Sequence, residues 1–483
     1  MSSQFQAPEQ WYSEYDEASA KQQYEMLLEI IQTSLLPEFF EEIDLGQLLV
    51  EMLDELDNNN LIAEAISLIN LLQQYQPELY RQEYCYFDKF LIQHYLYTSE
   101  LEQVKASLVR FEEYPSENID KMLQILDFLK FYNATEIATD LCERTYHSIK
   151  NSPDVIDGTE IELAEIILLD LMDKAYQKIK IEESVNWDEF SAKAQEYGLK
   201  TDQQSLTNIQ EDLLKDISID QPFFQAFKKH QSRQKIYPSL SVAFHKYMAD
   251  KKQVSFICSQ GIWNNILKFL IEERNLNTKK LTHPDSLFVF SQKELDHFVA
   301  QQIGGFFSLA QAAGFATLWG VPYLYDFLLT KQIISSEIHL KALSAVSELK
   351  KELTERLSQS LWQYDFVHRW LPPDSLSQED WEAEIEQFKA SLTLVKPLSS
   401  DEPNLNRIEP FKREVELLRN ALEKEESLNK LSDSENKEID EVSSPSVKSY
   451  KPKKTKKSPL QEAAELIAQE EKKPGKKKKK GFN

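Results

Sequence analysis

Glu294 and His297 come closest to a recognisable chemical spacing in this sequence. Their Glu-x-x-His pattern is the one used by carboxylate-bridged di-iron bundles, where two such motifs and two further glutamates converge from facing helices. Only one copy is present, so the pair reads as solvated or helix-capping. The sequence has no His-Glu-x-x-His, Cys-x-x-Cys, Gly-x-Ser-x-Gly or Walker-type phosphate loop, and Gly304-Gly305 lacks the strand–Gly-x-Gly–helix setting of a nucleotide fingerprint. Cys85, Cys142 and Cys258 are too few and too scattered for a disulfide framework or a zinc site, and they fit a reducing compartment. The expectation is a protein with no catalytic centre, no cofactor and no metal.

Two groups of residues have types suited to binding. Tyr80, Tyr84, Phe87 and Tyr95 share one stripe of a segment that also holds Tyr86, Phe90 and Tyr97. That is more aromatic surface than one buried stripe requires. Tyrosine favours interfaces because its ring packs while its hydroxyl stays wet. These four residues are the candidate protein-binding face; the alternative is a wide core helix between two layers. The second group is cationic: Lys453, Lys454, Lys456 and Lys457, then Lys476, Lys477, Lys478, Lys479 and Lys480. Lysines without interleaved aromatics attract phosphates without reading bases.

The formal charge of −25 divides unevenly. Residues 448–483 hold 13 Lys and 4 Glu, while residues 1–447 hold 42 basic and 76 acidic residues. An acidic body repels nucleic acid and anionic lipid, and a lysine tail attracts both. Contact with RNA, DNA or ribosomes therefore falls to the tail. No basic stretch followed by an apolar run opens the sequence, so a cytoplasmic location is expected, or a nuclear one in a eukaryote.

The elements that must position these residues read as helices. With 10 Gly and 18 Pro in 483 residues, 41% hydrophobic and 11% aromatic, the chain has a core's worth of apolar residues and little material for hairpins. Residues 1–20 read as a polar, partly disordered lead-in. Helical spacing then predicts pairs whose first helices start near 43, 78 and 117 and whose second helices start near 61, 100 and 134. Units of about 34–39 residues mark an α-solenoid. Ala65, Ile69, Leu72 and Pro77 fall at the small, apolar and terminating positions of a tetratricopeptide-type repeat, which this stretch resembles, with Leu53 standing where that repeat has Gly. The resemblance implies a helical-repeat domain over 21–230. A one-off helical bundle is the alternative.

The polar segment Gln231–Ser241 reads as a boundary to a second helical lobe over 231–428, and 287–291 (LFVFS) as an extended connector. Within that lobe, residues 297–325 contain no Lys, Arg, Asp or Glu and four glycines. A membrane span is disfavoured by Gln301, Gln302 and Gln311 inside it and by Asp296 and Asp326 at its ends. A DNA-reading helix–turn–helix is disfavoured because its second helix would carry Asp326 and no basic residue before Lys331. The floor of a ligand pocket is open as a reading. The plainer one is a buried central hairpin in which Gly305, Ala310 and Gly314 admit neighbouring helices. A long helix is predicted over 336–363, and a charged surface helix over about 410–428. Residues 429–483 read as a disordered acidic-then-basic tail with a short helix at 459–471.

The expected fold class is therefore all-α: solenoid-like hairpins, a helical C-terminal lobe and a lysine-rich tail. The expected function is a non-enzymatic scaffold or adaptor binding a protein or peptide. A nucleic-acid- or ribosome-associated protein using its tail is one alternative, and an enzyme or ligand binder with a pocket at 297–325 is another.

Overall fold

Helix starts are written into the chain as caps. Ser19 and Gln22 close a reciprocal capping box at the start of Ala20–Ile31, and Asn186, Asp220 and Ser255 accept from backbone N–H groups at the starts of Trp187–Glu196, Gln221–Phe227 and Phe256–Lys268. The ends follow an equally local rule. Three turns between paired helices each place one residue in the left-handed region: Asn60 (φ 58°), Ser99 (φ 65°) and Asn133 (φ 59°). In each, the next N–H reaches back to a carbonyl in the last turn, Leu61 to Leu56 (2.8 Å), Glu100 to Tyr95 (2.7 Å) and Ala134 to Leu129 (2.8 Å). This is the bond that satisfies a carbonyl left open at a helix end.

The computed structural model describes residues 7–33, 37–199, 203–273, 281, 283–304, 311–356, 360–392 and 395–400. It is all-α, with no strand among the described residues. The turns at 60, 99 and 133 join Leu45–Asn58 to Ile62–Tyr75, Tyr84–Thr98 to Leu101–Glu113, and Ile119–Phe131 to Thr135–Asn151. Each pair packs on itself, and Thr159–Lys180 packs against Thr135–Asn151.

Several expectations are corrected. The lead-in is not unstructured: Pro8–Glu17 is helical, because Trp11 and Tyr15, one turn apart, stack at 5.2 Å and bury their rings. The aromatic segment from 78 to 97 is two helices, Pro77–Gln82 and Tyr84–Thr98, broken at Glu83. Gln231–Ser241 is no boundary, since it lies inside the helix His230–Lys252, and Met1–Asn404 forms one compact unit. Leu287 and Phe288 are not extended but end the helix Pro284–Phe288, both fully buried. The helix expected to reach residue 363 is described over Ser336–Arg356, and Leu361–His368 is instead a 3-10 segment. The charged helix at 410–428, the disordered tail and its helix at 459–471 lie outside the described residues, as do Gly305 and Ala310.

The charge-free stretch forms two helices packed together, Gln292–Gly304 and Gln311–Thr330. Every residue from Ala312 to Leu328 is buried. Close approach requires glycine at Gly320, where an added Cβ would sit 2.5 Å from Ile262 Cγ2. The few polar atoms are met by neighbours. Trp319 Nε1 donates to Glu384 Oε1 (2.7 Å), Tyr323 OH to Leu371 O (2.9 Å) and Tyr325 OH to Phe288 O (2.5 Å), while Asp326 Oδ1 pairs with His339 Nε2 (2.7 Å). A buried polar atom left unmet costs more than a made bond gains, so these partners hold the helix in register. No helix among the described residues is long and apolar enough to cross a membrane.

Candidate functional site

The first helices carry, near their C-terminal ends just before the left-handed turns, the residues that meet one later segment of the chain. The 3-10 segment and the residues around it lie across all three. Asp57, at the end of Leu45–Asn58, accepts from Trp362 Nε1 (2.9 Å), Gln363 Nε2 (2.6 Å) and Ser360 Oγ (3.0 Å). On Tyr84–Thr98, Trp362 packs edge-on to Phe90 (5.4 Å), His94 (6.2 Å) and Tyr97 (5.8 Å), and Gln93 Nε2 donates to Gln363 Oε1 (3.1 Å). On the third, Phe366 stacks on Phe131 (5.4 Å) and Trp370 Nε1 donates to Phe131 O (3.1 Å). The aromatic helix does receive a peptide, but that peptide belongs to the same chain.

This corrects the candidate binding face. Tyr80, Tyr84 and Phe87 point the other way, into the core, and are almost completely buried. Tyr80 stacks on Phe87 (5.6 Å) and donates to Asp88, which Arg110 meets from the neighbouring helix at 2.8 Å. Tyr84 packs edge-on to Phe111 (5.3 Å). Tyr95 is only half-buried and packs against the core. The surplus of aromatics serves two layers, one on each side of the helix. Glu294 accepts from the Ser291 backbone N–H (2.7 Å) and hydroxyl (2.8 Å), so it closes a helix start, and His297 bonds Gln301 (3.1 Å). The lysines from Lys453 to Lys480 lie outside the described residues.

Beside the internal peptide, the first helices line three adjoining concavities. The first, about 410 Å³, lies between Leu45–Asn58, Tyr84–Thr98 and the Gln311 end of the central helix. A small one of about 30 Å³ shares Lys89, Gln93, Gln311, Gln363 and Tyr364 with it. The third, about 270 Å³, meets the small one at Asp127 and runs between Ile119–Phe131, Thr159–Lys180 and Phe256–Lys268. Tyr364 forms the inner wall where they meet, stacked on Phe315 at 4.0 Å with its hydroxyl donating to Gln311 Oε1 (2.5 Å).

The charges along this row differ in how they are met. In the third concavity Lys130 pairs with Asp127 (2.6 Å) and Gln260 Nε2 donates to Glu165 (3.1 Å). In the first, burial raises the Asp57 carboxyl to about 6 despite its hydrogen bonds from Trp362 and Ser360. Burial and the neighbouring Lys121 lower the Lys89 ammonium to about 8, while partial desolvation raises the Asp54 carboxyl, which still reaches the water of the cavity. A separate cavity of about 530 Å³ sits between Ser336–Arg356 and Gln378–Leu392. There Glu384 accepts from Trp319 Nε1 (2.7 Å) and Lys350 Nζ (3.1 Å) and meets His368 Nε2 (3.3 Å). Burial opposes its charge, yet His368 and Lys350 hold its carboxyl down at about 2. The three cysteines are buried free thiols, and burial pushes all three up, Cys85 to about 11. A thiol that stays protonated is a poor nucleophile.

Sequence reasoning missed Asp54, Asp57, Lys89, Lys121 and Gln363. One signal was available: Asp88 and Lys89 are the only charged residues in Tyr84–Thr98, and they point to opposite layers. No family model matches the chain, and no curated protein or solved structure matches it.

Proposed function

We propose that this protein is a non-enzymatic scaffold or adaptor whose helical-repeat body binds a protein or peptide partner along the row of first helices. The observation that supports this reading is the continuity of the three concavities from Asp54 to Glu165, beside a face that already accepts a segment of the same chain, Ser360–Trp370. Extended ligands gain affinity from a preformed concave surface with polar groups placed along it. The repeated turn geometry at Asn60, Ser99 and Asn133 supports the repeat-like reading of this region.

The test is photo-crosslinking in cells from a benzoylphenylalanine placed at Tyr86 or Leu123, which line the row, and at Val109 or Ile161, exposed elsewhere. Partner adducts from the first two positions and not the second two are expected. Adducts from Val109 or Ile161 alone would place the interface elsewhere and end this proposal. A second reading rests on charge: the body of −34 carries a tail of +9, so any contact with RNA or DNA belongs to residues 448–483.

A further inference from the structure

The 410 Å³ concavity brings together three charged side chains that do not touch one another. Asp54, Lys89 and Lys121 all line it. None of the three forms a hydrogen bond or an ion pair within 4.0 Å among the described residues; Asp54 attracts both lysines from farther away, and Lys121 has the ring of Tyr86 beneath its ammonium at 4.4 Å. Both lysines are partly buried, while Asp54 stays open to the water of the cavity. In the 530 Å³ cavity, by contrast, Lys350 is met by Glu384, and in the 270 Å³ one Lys130 is met by Asp127. Charges taken partly out of water without a partner cost free energy, and a ligand that supplies the partners recovers it.

The arrangement restricts the ligand. A phosphate or a dicarboxylate would satisfy the two lysines but lie against Asp54 and Asp57. A simple amine would satisfy Asp54 and leave two ammonium groups unmet. A group carrying one charge of each sign meets both demands. The remaining walls are mixed: Tyr86 and Ile303 offer open apolar surface among Asn58, Gln93, Gln311, Ser360 and Gln363.

We propose that this concavity binds a free α-amino acid with an apolar or aromatic side chain, its carboxylate on Lys89 and Lys121, its ammonium on Asp54 and its side chain against Tyr86 and Ile303. This site is the first concavity of the proposed partner groove, and its ligand is tested apart from any partner. A small ligand seated here would contact Gln93, Gln363 and Tyr364, the residues that join the pocket to the internal peptide.

Isothermal titration of the full chain with L-phenylalanine and with L-leucine tests this, alongside N-acetyl-L-phenylalanine and L-phenylalaninamide, which each lack one charge and mimic the two ends of a peptide. At least one amino acid binds saturably, and both blocked forms bind at least about tenfold more weakly. Lys89→Gln and Asp54→Asn each weaken binding by about tenfold or more, while Lys351→Gln, in the other cavity, leaves it unchanged. Lys89→Arg keeps the charge and serves if Lys89→Gln loses its helical circular dichroism. No saturable binding of either amino acid up to about 10 mM overturns the proposal. So does binding of either blocked form as tight as the amino acid's, or binding that survives both substitutions. Crosslinking in the partner groove is read separately, so either idea can fail alone.

Discussion

Replacing Asp57 with Asn tests whether a single carboxylate pins the internal peptide to the first helical pair. Burial raises its folded-state pKa to about 6, against 3.8 in the absence of the fold. A gap of about two pH units corresponds to about 3 kcal/mol at 1.4 kcal/mol per unit. Asp57 is in part open to the neighbouring cavity, so solvent screening brings this to about 1–2 kcal/mol. The sign follows from proton binding. Between pH 4 and 6 the folded state holds the proton that the unfolded state has lost, so this group's contribution to stability falls as pH rises through that window and is flat above it. Two measurements read it. The indole N–H resonance of Trp362, assigned by Trp362→Phe, titrates near pH 6 in the parent protein and is flat in Asp57→Asn. The stability of the parent relative to Asp57→Asn, from urea unfolding, is about 0.5–1 kcal/mol more favourable at pH 5 than at pH 7.5, since about half of the effect falls below pH 5. An indole inflection below pH 4.5, or a difference of the opposite sign, would refute the reasoning.

Glu384→Ala leaves the Lys350 ammonium and the His368 ring buried without their shared partner, and is expected to cost about 3 kcal/mol in thermal or urea unfolding. The folded pKa of Glu384 lies below its unfolded value, so its contribution is present above pH 4.5 and is lost as pH falls towards 2; the parent and Glu384→Gln should converge in stability over that range. Gly320→Ala drives a methyl group into Ile262 and should destabilise by about 1–3 kcal/mol, with Gly320→Ala/Ile262→Ala less damaged than the sum of the two single changes. Deleting residues 448–483 should abolish retention on immobilised RNA or DNA at low salt, measured by the salt needed for elution; retention that persists would locate the contact in the acidic body.

Local rules made much of the fold legible. The turns at Asn60, Ser99 and Asn133, which divide the predicted helix pairs, are settled within a few residues by which side chains tolerate a left-handed backbone. The absence of charge from 297 to 325 likewise announced burial, because a helix with no polar face has nowhere to meet water. The lead-in was misread because two aromatic rings one turn apart are a weak signal in a polar segment.

Only the tertiary structure decided which aromatic residues face a ligand. Tyr80, Tyr84 and Phe87 share a helical stripe with one another, but periodicity cannot say whether that stripe meets solvent or the next helix. The same limit hid the pocket. Asp54, Lys89 and Gln311 lie on three helices far apart in sequence, and they share a cavity only because the hairpins stack and the central helix is laid beside them. The sequence by itself determined that this chain is helical, where most of its helices begin and end, and which segment is buried. Whether two charges pair or stand apart across a cavity depends on ångström distances between elements, and those are set by packing.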